Sequence, residues 1–134
     1  MKKFVIGLLI VFALAACTGG SPASVQGQWK LVSYGSTSSQ TPAVSDVDTS
    51  IEFKDGALNG NVGCNSFGGN YEVSADQIKF EPIASTLMEC GDPIGSQESG
   101  VFAVLYDSAT IVLDGNTLTI TSADGNSVVV LERK

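Results

Sequence analysis

The chain has 134 residues, a formal charge of −7, 15 glycines, three cysteines and no histidine. That length holds one domain plus a targeting segment, and the lack of His excludes Ser–His and Cys–His nucleophilic pairs and His-ligated metal sites. Beyond residue 16 the basic residues are Lys30, Lys54, Lys79, Arg133 and Lys134. They form no cluster, which argues against a nucleic-acid partner.

Residues 1–16 read as a lipoprotein signal peptide. Lys2 and Lys3 precede an apolar run from Phe4 to Leu14 that is short for a bilayer span. Leu14-Ala15-Ala16-Cys17 then resembles the lipobox of bacterial lipoproteins. The resemblance implies a diacylglycerol on the Cys17 sulfur, cleavage before Cys17 and acylation of the new amino group. Two or more acyl chains anchor a protein stably. Residues 17–25 follow as a lipidated tether rich in Gly, Ser and Ala. The expected location is the cell envelope: the outer membrane facing the periplasm in a Gram-negative cell, the outer face of the cell membrane otherwise. The expected partner is the membrane, through Cys17.

Residues 26–134 alternate apolar and polar positions with period two, the mark of half-buried strands. Gln28–Tyr34 is the first, and Trp29 reads as a core plug. Residues 35–48 are polar and lack periodicity, as in a long loop. Ser50–Lys54 and Ala57–Val62 flank Asp55-Gly56, a pair suited to the positive φ of a tight hairpin. A turn at Gly63–Gly69 is expected next, then Asn70–Ser74 and Gln77–Phe80, with Pro82 ending the ladder.

Asp92-Pro93 or Ser96 can open a helix. Ile94, Val101, Phe102, Leu105 and Ala109 lie at helical spacing along it. Glu98 borders that stripe. Its carboxylate either turns inward, to accept backbone N–H groups near Cys64 or Thr86, or stands at the rim in water. Thr110–Leu113, Thr117–Thr121 and Ser127–Glu132 then form a meander around two Asp-Gly-Asn turns. Val128–Leu131 is apolar on both faces, as in a strand covered on both sides.

These elements imply an α+β fold: a small antiparallel curled sheet, or open β-barrel, of about eight strands with one helix packed across it. Cys64 and Cys90 can be a disulfide, reactive thiols or buried free thiols. Export and an even count once Cys17 is lipidated favour the disulfide. Asp46, Asp48, Asp107 and Asp114 lack metal-loop spacing and read as surface. No cofactor or metal is expected.

The motifs resemble one family, the META domain of HslJ-type heat-inducible proteins. Trp29-Lys30-Leu31 matches its opening Trp-x-Leu. Gly60-Asn61-Val62-Gly63-Cys64-Asn65-Ser66-Phe67-Gly68-Gly69-Asn70-Tyr71 is similar to its Gly-x-x-Gly-Cys-Asn-x-Phe-x-Gly-x-Tyr centre. Ser85-Thr86-Leu87-Met88-Glu89-Cys90 resembles Ser-Thr-x-Met-Ala-Cys, with Glu89 in place of Ala. Glu98, Phe102 and Leu105 suit the helix that follows in that family. The resemblance makes Trp29, Gly63, Asn65, Phe67, Gly69, Tyr71, Thr86, Met88 and Glu98 structural motif positions. It implies a barrel-like envelope protein linked to heat or antibiotic stress, with no catalytic activity. The rival expectation is a binding module with an acyl chain or partner peptide in a groove between helix and sheet. An enzyme would instead show a deep pocket with converging carboxylates.

Overall fold

The computed structural model describes residues 24–134. The expected signal peptide, Cys17 and the tether up to residue 23 lie outside the described residues.

Ten strands and one helix run in the order β1 (Gly27–Ser36), β2 (Ser39–Pro42), β3 (Ser50–Lys54), β4 (Ala57–Asn61), β5 (Ser66–Ser74), β6 (Gln77–Phe80), β7 (Ala84–Ser85), α1 (Ile94–Phe102), β8 (Ser108–Asp114), β9 (Thr117–Ser122) and β10 (Ser127–Arg133). Eight of them form an antiparallel barrel in the order β1-β3-β4-β5-β6-β8-β9-β10, and β10 returns to pair with β1. The barrel is therefore closed rather than open. Closure leaves none of the eight with a free edge along its whole length, which removes a route to aggregation. The closing ladder runs from Trp29↔Arg133 to Ser36↔Ser127, with a bulge between Leu31 and Ser33. Where β1 leaves β3, the buried Thr49 hydroxyl accepts the Leu31 N–H at 2.9 Å, so the bend costs no orphan donor.

The cross-strand register puts the apolar set on one face. Trp29 faces Ile51, Phe53 faces Leu58, Tyr71 faces Phe80, Ile111 faces Ile120, and Leu118 faces Leu131. These side chains fill the barrel, and Trp29, Ile51, Phe53, Leu58, Ile78, Leu118, Ile120 and Leu131 have no exposed area. Trp29 is the plug expected, with its indole N–H donated to the Val25 carbonyl at 2.8 Å. Where two inward positions would collide, one is glycine. Gly60 faces Phe67, and a Cβ there would stand 2.5 Å from the Phe67 ring and 2.9 Å from the Ser50 carbonyl.

The helix closes the end of the barrel where β1 finishes. Gly100 lies against the Tyr34 ring, and Phe102 packs edge-on to Phe67 at 5.1 Å between centroids. Val128, Val129 and Leu131 of β10 are buried, but the helix meets Tyr34, the partner of Val129, on the inner face and Val130 on the other face is half-buried, so the expected cover on both sides is only partial. At the other end Val25 is buried. The Arg133 guanidinium lies 4.3 Å over the Trp29 ring and donates to the carbonyls of Gln26 (2.8 Å) and Ser24 (3.0 Å).

Several local expectations change. The stretch taken as a Gly63–Gly69 turn is shorter, because β5 already begins at Ser66. Phe67 and Gly69 are strand residues paired with Gly60 and Leu58, and only the residues around Gly63–Asn65 reverse the chain. The loop at 35–48 contains β2, which extends β1 as a hairpin from Ser33↔Pro42 to Ser36↔Ser39. Ala109 belongs to β8 and faces Ile78, because the helix stops at Phe102. The helix starts at Ile94, and Asp92 accepts the Ser96 N–H at 3.1 Å. That bond does the work of an N-cap one position early.

Candidate functional site

The reversal after β4, the segment after β7 and the helix meet at one point, and each motif residue there has a discernible task. Gly63 has φ +117°, a conformation that L side chains rarely adopt, and a Cβ on it would press Val47 at 2.8 Å. Cys64 and Cys90 form a disulfide spanning 26 residues, with Cα atoms 6.1 Å apart. Chain-entropy reasoning values a loop of that size at about 3.5 kcal/mol.

Asn65 is the hub beside it. Its backbone N–H donates to Glu98 Oε2 at 2.7 Å and its amide nitrogen to Glu98 Oε1 at 2.6 Å. The same nitrogen donates to the Met88 carbonyl at 3.1 Å. Its Oδ1 accepts the Thr86 hydroxyl at 2.8 Å and the Met88 N–H at 2.7 Å. Thr86 in turn accepts the Ser66 N–H at 3.2 Å. Only one orientation of the amide satisfies this set, since a carboxylate must receive donors.

Glu98 thus turns inward. It is 9% exposed and clamps a backbone N–H beside Cys64. Both of its oxygens take charge-assisted bonds from one residue, which fixes helix to turn in one geometry. Met88 has its backbone pinned from both sides while its side chain stays largely exposed, and Leu87 beside it is 94% exposed. Glu89 is exposed, so the carboxylate that replaces Ala there reaches water. Asp46, Asp107 and Asp114 are exposed, and Asp48 pairs with the Lys134 ammonium at 3.0 Å.

Tyr71 lies at the other end of the motif, edge-on to Phe53 at 5.1 Å. Burial holds its phenol above the ordinary value; a Gly56 backbone hydrogen bond opposes this and the Asp55 charge adds to it.

Gln97 is a residue that sequence reasoning missed. It has no exposed area, accepts the Val44 N–H at 2.8 Å and donates to the Val62 carbonyl at 2.7 Å. It ties the end of the 35–48 loop to the end of β4 through the helix. A signal was present, since Gln97 stands four residues before the core residue Val101 and shares its face. Among the described residues no buried side-chain polar atom lacks a partner, and no group of three His, Cys, Asp or Glu is placed to hold a metal.

The junction is therefore a static crosslink, one covalent and one polar, at the helix-capped end of a small closed antiparallel barrel. That combination defines the class. The chain belongs to the META domain family, whose family model matches residues 23–134. A search of curated proteins finds no match. Solved structures share the fold. An NMR structure of a protein from Burkholderia xenovorans is 17% identical with a TM-score of 0.66, over 81% of this chain and 82% of that one. A second NMR structure is 20% identical with a TM-score of 0.60, over 78% and 87%. The crystal structure of a DUF4847 family protein from Bacteroides vulgatus ATCC 8482 is 14% identical with a TM-score of 0.58, over 81% and 93%. At these identities the likeness is one of fold.

Proposed function

We propose that this META domain chain is a non-enzymatic lipoprotein of the bacterial cell envelope, anchored through acylated Cys17 and contributing to heat or antibiotic stress tolerance. The observation that carries the anchor is Leu14-Ala15-Ala16-Cys17 after a basic and then apolar N-terminus. The disulfide supports an oxidising compartment. The first described residues follow close behind, with Val25 buried and the Ser24 carbonyl bound by Arg133. Residues 18–23 then reach roughly 20 Å at full extension, which keeps the barrel beside the membrane.

The non-enzymatic reading is supported by how the buried polar groups are spent. Asn65, Gln97 and Glu98 bind one another or the backbone. The acyl-chain version of the binding reading is disfavoured by the filled barrel interior.

Metabolic labelling with an alkyne fatty acid tests the anchor. The wild-type chain takes up label and fractionates with membranes, and Cys17→Ser takes up none. Equal labelling of the two would overturn the reading. Deleting the gene in its native host, then scoring survival after heat and envelope-active antibiotics, tests the stress role. Unchanged survival under both removes it.

A further inference from the structure

Outside the junction, one continuous feature without a task lies where the helix hands over to β8. Pro82 and Ile83, on the segment leaving β6, face Phe102, Leu105 and Tyr106 across an apolar groove. Tyr106 is 80% exposed and adds its ring to the apolar lining of the groove. It also borders a depression that runs toward Asp124 and Ser127.

Carboxylates rim this surface. Glu81 and Asp107 line the groove and Asp124 lines the depression. Asp124 is held below the ordinary carboxylate range by the Ser122 hydroxyl and then by Asn126, so it is anionic at neutral pH. The basic residue closest in sequence to Glu81 is Lys79, on β6. Among the described residues the only ion pairs are Lys30–Glu132 and Lys134–Asp48, so Lys79 neutralises none of the three.

We propose that this groove is a docking site for a cationic, apolar peptide segment of a protein partner, with apolar side chains against Tyr106, Phe102 and Ile83 and Lys or Arg at the acidic rim. Other occupants fit less well. A second copy of the chain is itself strongly acidic and would be repelled. Anionic lipid would be repelled too. The bilayer also lies on the far side: β10 runs from Ser127, beside this surface, to Arg133, which holds Ser24, a span of roughly 20 Å. That last point rests on the lipoprotein reading; the groove and its charge do not.

The test uses the full chain purified from membranes in nonionic detergent, with its N-terminus read by mass spectrometry. The probe is a fluorescein-labelled short peptide of alternating Lys and Leu around one Trp, with a Glu-for-Lys peptide as comparison. Anisotropy should show saturable binding of the Lys peptide that weakens about tenfold in Tyr106→Ala and falls steeply with salt in the wild type. Glu81→Gln with Asp107→Asn should weaken binding several-fold. Asp55→Asn with Asp114→Asn removes the same charge elsewhere and should change nothing. Equal binding of the Glu peptide, wild-type binding by the groove variants, or equal loss in the control pair would each overturn the proposal. Tyr106 and Asp107 are exposed, and unchanged Trp29 fluorescence verifies that the variants fold. An unacylated N-terminus sinks the lipoprotein reading alone and leaves the peptide result standing.

Discussion

Exchanging the functional groups of Asn65 and Glu98 tests whether their contact is a specific donor–acceptor match or incidental polar packing. Glu98 offers two acceptors to two donors of Asn65, at 2.7 and 2.6 Å. In Glu98→Gln one acceptor becomes a donor that faces a donor. One charge-assisted bond is lost and a buried N–H group is left without an acceptor, which costs about 2.5 kcal/mol. In Asn65→Asp a carboxylate faces a carboxylate and the Met88 carbonyl loses its donor, a cost of similar size, about 2.5 kcal/mol. In the double variant the new amide at position 98 donates to the new carboxylate at position 65. Its oxygen still accepts the backbone N–H, and Thr86 and Met88 keep their acceptor. The double should therefore lose about 2.5 kcal/mol rather than about 5, a coupling of about 2.5 kcal/mol. Urea unfolding with the disulfide intact measures this through Trp29, the single and fully buried tryptophan, whose emission shifts on exposure. Additive losses would refute the match and leave Glu98 as a polar residue that merely lies nearby.

Gly60→Ala should destabilise by about 2 kcal/mol or more, because its Cβ meets the Phe67 ring and a backbone carbonyl; urea midpoints check it, and a wild-type midpoint would contradict the close approach. Replacing both Cys64 and Cys90 by Ala should cost about 3.5 kcal/mol yet leave a folded barrel, since Asn65 joins the same two segments; loss of native near-UV dichroism would show that the polar link cannot hold alone. Gln97→Ala should cost about 2 kcal/mol by orphaning the Val44 N–H and Val62 carbonyl, and amide exchange should rise first at Val44. Asp124 has a folded-state pKa below its unfolded value, so its contribution is present above about pH 4 and fades as pH falls through the depressed value; Asp124→Asn should flatten that part of the acid limb of a stability–pH curve, and an unchanged limb would refute the assignment.

Most strands were legible because half-buried strands must alternate, and Ser50–Lys54 and Gln77–Phe80 fall where the pattern puts them. The hairpin at Asp55-Gly56 was legible for a local reason as well, since both residues take positive φ, 51° and 81°. β2 was not legible: all four of its residues are exposed, so no alternation is imposed on them. The turn was overextended because its glycines suit tight turn geometry, whereas Gly69 is a strand position and Gly60 makes room for a facing ring. Ala109 has helical spacing from Leu105, but spacing cannot show that the chain has already left the helix. At the junction, Glu98 was legible as a misfit on an apolar stripe. Gln97 was equally out of place but belonged to no motif.

Closure between β1 and β10 also constrains the order of events in the cell. Its ladder joins residues roughly a hundred positions apart, and the last of them, Arg133, secures the segment next to the N-terminus. Strands β3 to β9 can pair with neighbours as they emerge, but β1 waits for its closing partner until β10 is out. A chain that crosses a membrane N-terminus first would therefore travel as an unclosed ribbon and complete its barrel only once β10 has crossed. A stop codon at position 127 would remove β10 and leave β1 and β9 as two bare edges.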